Sequence, residues 1–215
     1  MKTRVVKQAE VRRDEILDAA SRLFTTKGYE ATTISDLLDA VGIARGTLYH
    51  HFRSKENVLD GLIRRHGDQV LAGLREVVAS GLSTPEKLLA CIAALAPQDP
   101  AQAALVDELG RASDSALFSK TLDDIVIRLA PVIAEAVADG VAAGVLHTAY
   151  PVEASRILLV AAYALLDNRT LEWADQDRAV QFAALLDAAE RVLGAEPGSL
   201  SSLAGGGGPR PAAPS

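Results

Sequence analysis

Residues 33–52 read TISDLLDAVGIARGTLYHHF, and their pattern gives the clearest indication of the fold. Thr33 followed three residues later by Asp36 is typical of a helix start, because a hydroxyl there can cap the first free amide groups. Apolar residues recur at helical spacing until Gly42 ends the helix after two turns. A second short helix is predicted over Arg45–His51. The stretch therefore predicts two short helices joined by a tight glycine turn.

The flanking segments are helical in pattern as well. An apolar stripe at i, i+3, i+4, i+7 and i+8 precedes the motif and closes at Lys27-Gly28; it consists of Ile16, Ala19, Ala20, Leu23 and Phe24. A longer helix restarts at Ser54 and continues towards Val70. Alternating apolar and polar runs, which would indicate strands, are almost absent. We therefore expect an all-α fold with an N-terminal three-helix helix-turn-helix domain and a C-terminal helical domain.

Composition excludes several classes of protein. The 215 residues are 49% hydrophobic and 23% charged, as in an ordinary globular protein and unlike a disordered or collagen-like chain. There is no apolar run long enough to span a membrane and no apolar signal core at the N-terminus. The single cysteine, Cys91, cannot form an internal disulfide. We expect a cytoplasmic protein that is neither membrane-spanning nor secreted.

The charge is unevenly distributed between the N-terminal part of the chain, residues 1–65, called the head below, and the remainder. Residues 1–65 carry 12 Lys/Arg against 9 Asp/Glu, whereas residues 66–215 carry 10 against 19. Residues 40–55 contain Arg45, Arg53 and Lys55 and no acidic residue. This distribution favours an anionic partner for the head alone, although a solvated charged face would have the same composition.

The two-helix motif indicates double-stranded DNA as that partner. In a helix-turn-helix, one helix crosses the phosphate backbone and the second lies in the major groove. Arg can bond guanine or phosphate, a glycine permits close approach, and hydroxyl and imidazole groups bond phosphate oxygens. The exposed residues expected to fill these roles are Arg45, Gly46, Thr47, Tyr49, His50 and His51. Ser54-Lys55 at the next helix start forms a further anion site.

These residues resemble the DNA-binding domain of tetracycline-repressor (TetR) family transcriptional regulators. The resemblance covers about residues 11–65 and rests on the order and spacing of five motifs: Gly28-Tyr29, Thr32-Thr33-Ile34, Val41-Gly42-Ile43, Gly46 to Phe52, and Ser54-Lys55-Glu56. It implies that seven positions face DNA, namely Thr33, Arg45, Thr47, Tyr49, His50, His51 and Lys55. Ile43-Ala44 departs from the pattern, since a polar capping residue is common there.

The resemblance also implies that the C-terminal half dimerises and binds a small-molecule inducer. We expect residues 1–65 to form the DNA-binding domain and residues 66–194 the ligand-binding and dimerisation domain. Two helices, over about 152–166 and 177–193, would form the dimer interface. A cavity would lie between about Thr84 and Tyr163. Four side chains are candidates to line it, although each is more often a packed core residue: Cys91, Phe118, His147 and Tyr163.

Residues 195–215 contain five glycines and four prolines and no aromatic residue, so we expect a disordered tail. No nucleophile and base are paired, no cofactor loop is present and no metal-ligand spacing occurs, so we expect no enzyme, no cofactor and no metal site. The sequence thus favours a homodimeric repressor that binds a palindromic operator and is released by an inducer. A helical small-molecule carrier or an interaction scaffold without DNA binding stays open as an alternative.

Overall fold

The computed structural model describes residues 2–97, 99–112, 115–166 and 178–204, and every regular element within them is a helix. The predicted all-α fold is confirmed. The helices are α1 (Lys2–Lys27), α2 (Ile34–Val41), α3 (Arg45–His51), α4 (Lys55–Ala79), α5 (Thr84–Leu95), α6 (Pro100–Ala112), α7 (Ser115–Ala142), α8 (Pro151–Leu166), α9 (Arg178–Leu193) and α10 (Ser201–Ala204). In these described ranges no helix is both long enough and apolar enough to cross a membrane.

The first compact unit comprises Met1–Gln69 and Pro97–Leu122. Its core contains buried side chains from α1, α2, α3, α4 and α6, together with Tyr29 and Phe52 beside them: Ile16, Leu17, Ala20, Phe24, Tyr29, Leu37, Leu48, Phe52, Val58, Leu59, Leu62 and Leu109. Each large apolar side chain buried here contributes about 1.5–3 kcal/mol relative to an exposed one. The shared core holds the two short helices against α1 and α4.

Gly61 allows α4 to pack closely in this unit. A Cβ atom at this position would lie 2.9 Å from Cε1 of Phe52 and 3.0 Å from Cδ2 of Leu17. Both distances are shorter than normal van der Waals contact, so a larger residue would force α4 or these side chains to shift. Since Phe52 directly follows α3, the spacing between α3 and α4 depends on this glycine.

The second compact unit comprises Val70–Ala96 and Asp123–Ser215. One of its two buried clusters joins α5, α7, α8 and α9 through residues such as Leu88, Val137, Leu186 and Leu193. The other surrounds Cys91 and includes buried side chains from the second part of α4, from α7 and from α8: Leu74, Leu129, Ala130, Val132 and Leu159. This unit is a helical bundle, as the sequence predicted for the C-terminal half.

The observed division differs from the boundary expected after residue 65. The first unit continues along α4 to Gln69 and also includes Pro97–Leu122. The reason is a packing contact that local sequence does not reveal, because Leu109 of α6 is buried in the core of the first unit. Helix α6 therefore belongs structurally with the helix-turn-helix.

The expectation of disorder from residue 195 was wrong for residues 195–204. Leu200 is 1% exposed and packs in the α5, α7, α8 and α9 cluster. The buried carboxylate of Glu190 accepts hydrogen bonds from the amides of Gly198, Leu200 and Ser201 at 2.6, 2.9 and 3.0 Å. One apolar side chain and one acceptor thus order a segment that consists mostly of small and polar residues. Residues 205–215 lie outside the described part.

Candidate nucleic-acid interface

The start of α2 is held by a reciprocal cap. The Oγ1 atom of Thr33 accepts the amide hydrogen of Asp36 at 3.2 Å, and the Asp36 carboxylate accepts the amide hydrogen of Thr33 at 2.7 Å. The Lys27 ammonium donates to the same carboxylate at 2.6 Å. These bonds, led by that of Lys27, lower the pKa of Asp36 to about 2. The predicted cap is confirmed, and the Thr33 hydroxyl is already engaged in it.

The turn between the two short helices depends on Gly42. Its φ angle is 71°, in the left-handed region that glycine adopts without a steric penalty. The amides of Gly42 and Ile43 both donate to the carbonyl of Leu38, at 2.8 and 3.2 Å, and this satisfies the last turn of α2. The chain then reverses within three residues and α3 begins at Arg45. The predicted glycine turn is confirmed.

Helix α3 presents one buried and one exposed face. Leu48 is fully buried and anchors the helix to the core. Arg45, Gly46, Tyr49 and His50 are exposed, with Tyr49 at 42%. They recur at i, i+1, i+4 and i+5, which places them on one side of a 3.6-residue helix. The two remaining predicted positions, Thr47 and His51, are half-buried at the edges of this face.

The two adjacent histidines point in different directions. Their ring centroids are 5.2 Å apart and the ring planes are nearly perpendicular, at 81°. Burial, followed by the charges of His50, Arg12 and Arg13, lowers the pKa of His51 below its ordinary value of 6.5. At neutral pH His51 is therefore an uncharged imidazole that donates one hydrogen bond.

Lys55 contacts the turn between α1 and α2. Its ammonium donates to the carbonyl oxygens of Tyr29 and Glu30 at 2.8 and 3.4 Å and lies 4.2 Å from the centroid of the Tyr29 ring. The Ser54 hydroxyl accepts the Asn57 amide at 3.3 Å and so caps α4. The expected Ser54-Lys55 anion site is thus largely occupied by the protein's own groups.

The structure connects Arg13 of α1 to the end of α3. Its guanidinium lies 5.1 Å from the ring centroid of Phe52, in a cation–π contact. Arg13 also contributes to the lowered pKa of His51. No local pattern indicates this contact, because it joins residues on α1 and after α3 that approach one another only in the tertiary structure.

Three of the four candidate cavity residues have described side chains, namely Cys91, His147 and Tyr163. Cys91 is 2% exposed within the second unit, and burial raises the pKa of its thiol to about 11. His147 lies on an exposed loop, where its Nδ1 is 3.0 Å from the carbonyl oxygen of Gly194. Tyr163 is half-buried on α8. The side chain of Phe118 lies outside the described part. Among described residues no group of three or more His, Cys, Asp or Glu is arranged to hold a metal ion.

Two family models match the chain. Residues 16–62 match the model for bacterial regulatory proteins of the tetR family, which covers the capped α2, the glycine turn and α3. Residues 101–188 match the model for the tetracyclin repressor-like C-terminal domain. The two matches lie in the order that the sequence analysis expected.

Individual relatives agree with these models. The chain is 47% identical over 81 residues to the HTH-type transcriptional repressor KstR2 of Rhodococcus jostii, a match that covers 38% of this chain and 40% of the relative. The match thus spans about two fifths of the length of that relative. The solved structure of Salmonella enterica GusR is 26% identical, with a TM-score of 0.65 over 85% of this chain and 95% of GusR. The SmeT–triclosan complex has the same fold at 20% identity, with a TM-score of 0.63 over 94% of this chain and all of SmeT (100%).

Proposed function

This chain belongs to the tetracycline-repressor family of bacterial regulators, and on that premise we propose that it is a transcriptional repressor. It would bind a palindromic DNA operator as a homodimer and leave it when a small molecule binds. The observation that carries the proposal is the exposed face of α3. The opposite face of this helix is anchored to the core by the buried Leu48, and the preceding helix α2 has a complete N-terminal cap. Such a regulator acts in the cytoplasm, where bacterial DNA lies, and we assign it no catalytic role.

Side chains on the exposed face suit different parts of a DNA groove. Arg45 would contact guanine or a phosphate, and Tyr49 and His50 would donate to phosphate oxygens. A Cβ atom added at Gly46 would meet no protein atom within 4 Å, so this position leaves room for the DNA backbone. Thr47 would contact the backbone from the edge of the face.

The other three predicted positions would act mainly by positioning this face. The Thr33 hydroxyl is engaged in the α2 cap, so its effect on DNA binding would come through the orientation of α2. Lys55 would hold the α1–α2 turn through the Tyr29 carbonyl. His51 would support α3 beside the arginines of α1.

A single head contacts only a few base pairs, so useful affinity requires two heads about 34–36 Å apart on a palindrome. We place the dimer interface on α8 and α9. Ile157 and Val160 of α8 are 58% and 44% exposed and lie one turn apart, and Val180 of α9 is 64% exposed. Exposed large apolar side chains on two helices that pack together are typical of a surface that a second copy covers.

Oligomeric state tests this interface. Ile157→Glu should convert the dimer to a monomer in analytical ultracentrifugation, because it places a charge in an apolar contact. Ile127→Glu is the matched control, since Ile127 is 64% exposed on α7 and outside the proposed interface. A monomeric wild type, or equal effects of the two changes, would contradict the placement.

The second unit would hold the inducer, in a cavity among its helices between about Thr84 and Tyr163. The same fold in SmeT was solved as a complex with triclosan. Aromatic residues make up 4% of the chain, which favours an aliphatic lining over one that stacks flat rings. To change occupancy of the DNA-binding state from 99:1 to 1:99, the inducer must bind the other state more tightly by about 5.5 kcal/mol.

Salt-dependent DNA binding tests the function as a whole. Wild type, Arg45→Ala and Arg75→Ala are titrated into a fluorescein-labelled duplex of the DNA upstream of the gene at several salt concentrations. Arg75 is also an exposed arginine, on the part of α4 that lies in the second unit, and serves as the control.

The logarithm of the wild-type affinity should fall linearly with the logarithm of salt, and Arg75→Ala should match it. Arg45→Ala should bind more weakly. Its slope should be smaller by about 1 if the arginine contacts phosphate, and unchanged with relaxed sequence preference if it contacts a base. Affinity that is independent of salt would favour the carrier or scaffold alternative.

A further inference from the structure

The peptide groups of Tyr29 are held from two sides by helices outside the helix-turn-helix pair. The amide of Tyr29 donates to Oε1 of Glu108, on α6, at 2.5 Å. The carbonyl of the same residue accepts from Lys55, at the start of α4, at 2.8 Å. The α1–α2 turn is therefore connected to α6 through one hydrogen bond that joins residues 79 positions apart.

The hydrogen bond between Tyr29 and Glu108 joins two buried residues. Glu108 is 8% exposed and Tyr29 is 5% exposed. The second carboxylate oxygen of Glu108 pairs with Arg111 at 2.9 Å. A buried carboxylate needs a hydrogen-bond or ion-pair partner, and a buried amide that loses its acceptor bears a desolvation penalty. Asp107, the neighbouring acid on α6, is exposed, so the two acids differ in environment although they look alike in sequence.

A short segment whose backbone is hydrogen-bonded internally connects Tyr29 to α2, so a displacement of Tyr29 would move α2 and, with it, the exposed face of α3. Thr32 is 1% exposed, and its hydroxyl and amide both donate to the carbonyl of Gly28, at 2.7 and 3.2 Å. Thr33, the next residue, is the cap of α2. The turn thus consists of internally bonded backbone from Gly28 to the first residue of the cap, and α2 begins directly after it.

We propose that Glu108 of α6 is a positioning residue for DNA binding, which sets the placement of α2 and α3 through its hydrogen bond to the Tyr29 amide. The inference rests on the proposed DNA-binding function and adds to it a determinant outside the DNA-contacting surface. In this proposal, the placement of α2 and α3 depends on an acceptor oxygen, of a carboxylate or an amide, that a side chain as long as that of glutamate brings to the Tyr29 amide. The negative charge itself is secondary.

Four variants and one control separate the effect of the position of the oxygen from the effect of its charge. Glu108→Gln keeps the reach and an acceptor oxygen but removes the charge, whereas Glu108→Asp keeps the charge and shortens the reach by one methylene. Glu108→Ala removes both. Arg111→Ala removes the ion pair and leaves the acceptor in place, and Asp107→Asn is the matched control for loss of an acid from α6.

Two readouts are measured on the full chain. Affinity is measured by anisotropy on a labelled duplex that wild-type protein selects from the DNA upstream of the gene. The Tyr29 amide proton is observed by NMR spectroscopy of protein labelled with ¹⁵N-tyrosine. The chain contains four tyrosines, and the signal that disappears in Tyr29→Phe is that of Tyr29. A hydrogen bond to a carboxylate or carbonyl oxygen shifts this proton downfield.

Glu108→Ala should weaken DNA binding about tenfold, which corresponds to about 1.4 kcal/mol, and should move the Tyr29 proton upfield. Glu108→Gln should remain within about threefold of wild type, with the proton still downfield. Arg111→Ala and Asp107→Asn should behave as wild type does, and Glu108→Asp should be weaker than Glu108→Gln. The Gln and Asp variants provide this ranking even if the Ala variant fails to fold.

The proposal is overturned if folded Glu108→Ala retains wild-type affinity, if the Tyr29 proton does not move, or if Glu108→Asp binds better than Glu108→Gln. These outcomes differ from a failure of the proposed function. In that case wild type itself shows no salt-dependent DNA binding, and Arg45→Ala has no effect.

Discussion

Replacing Leu200 by alanine tests the unexpected order of residues 195–204. Leu200 is 1% exposed in the bundle of the second unit, whereas Leu203 in the same segment is 54% exposed. Truncation of a buried leucine to alanine costs about 2–5 kcal/mol, since it loses the transfer free energy of the removed atoms and leaves a cavity. The same change at an exposed site alters stability by less than about 0.5 kcal/mol. The two variants therefore form a matched pair.

The loss measured in global unfolding is limited by the free energy with which residues 195–204 dock on the bundle. The segment is also attached through Glu190, whose carboxylate accepts the Gly198 amide at 2.6 Å and the Ser201 hydroxyl at 3.1 Å. If the segment can detach while the bundle stays folded, the free energy lost in Leu200→Ala cannot exceed the free energy of docking. Global unfolding alone would then underestimate the effect.

Two assays distinguish these cases. Urea unfolding followed by far-UV circular dichroism measures the free energy of unfolding, and hydrogen exchange of the Leu200 and Ser201 amides measures local detachment. Leu200→Ala should lower one or both by about 2–5 kcal/mol. Leu203→Ala should leave both near wild type. Equal effects of the two variants, or unprotected amides in wild type, would show that Leu200 does not order this segment.

Three further predictions concern single side chains. Because the Lys27 ammonium and the α2 cap hold the pKa of Asp36 at about 2, below its ordinary 3.8, the ionised carboxylate stabilises the fold above pH 3.8 and loses this effect as pH falls through 2. Asp36→Asn should therefore lower the melting temperature at pH 7 and have a smaller effect at pH 3. Lys55→Met should lower the melting temperature, since it frees two turn carbonyls, whereas Arg53→Ala at the neighbouring exposed position should not. Burial raises the pKa of Cys91 to about 11, so its thiol should react with a disulfide reagent at pH 8 only after urea is added.

The short-range signals in the sequence were sufficient to locate the head. The pair Thr33 and Asp36 and the left-handed Gly42 act within a few residues, and the structure confirms the cap and the turn. The buried Leu48 and the exposed Tyr49 follow from the helical period once α3 is placed. The DNA contacts of the exposed face stay a prediction.

Long-range contacts limit what these local signals can predict. A lysine on a flexible stem can serve a phosphate or a carbonyl, and Lys55 contacts the carbonyl of Tyr29, 26 positions earlier. Asp107 and Glu108 are adjacent acids on one helix, yet only Glu108 is buried. The partner of Lys55 and the burial of Glu108 depend on which helix packs against each residue. The spacing of apolar residues along one helix does not indicate which other helix that is.

Caps, glycine turns and a 3.6-residue period are local properties of the chain, so the helical class, the bounds of the short helices and the solvent-exposed face of α3 can be predicted from the amino-acid sequence. Tertiary packing places α6 with the helix-turn-helix, engages Lys55 at the α1–α2 turn and orders the segment around Leu200, whose composition is typical of disorder. Each of these depends on an acceptor or an apolar surface contributed by residues distant in the chain. Such a partner exists only after the helices have packed.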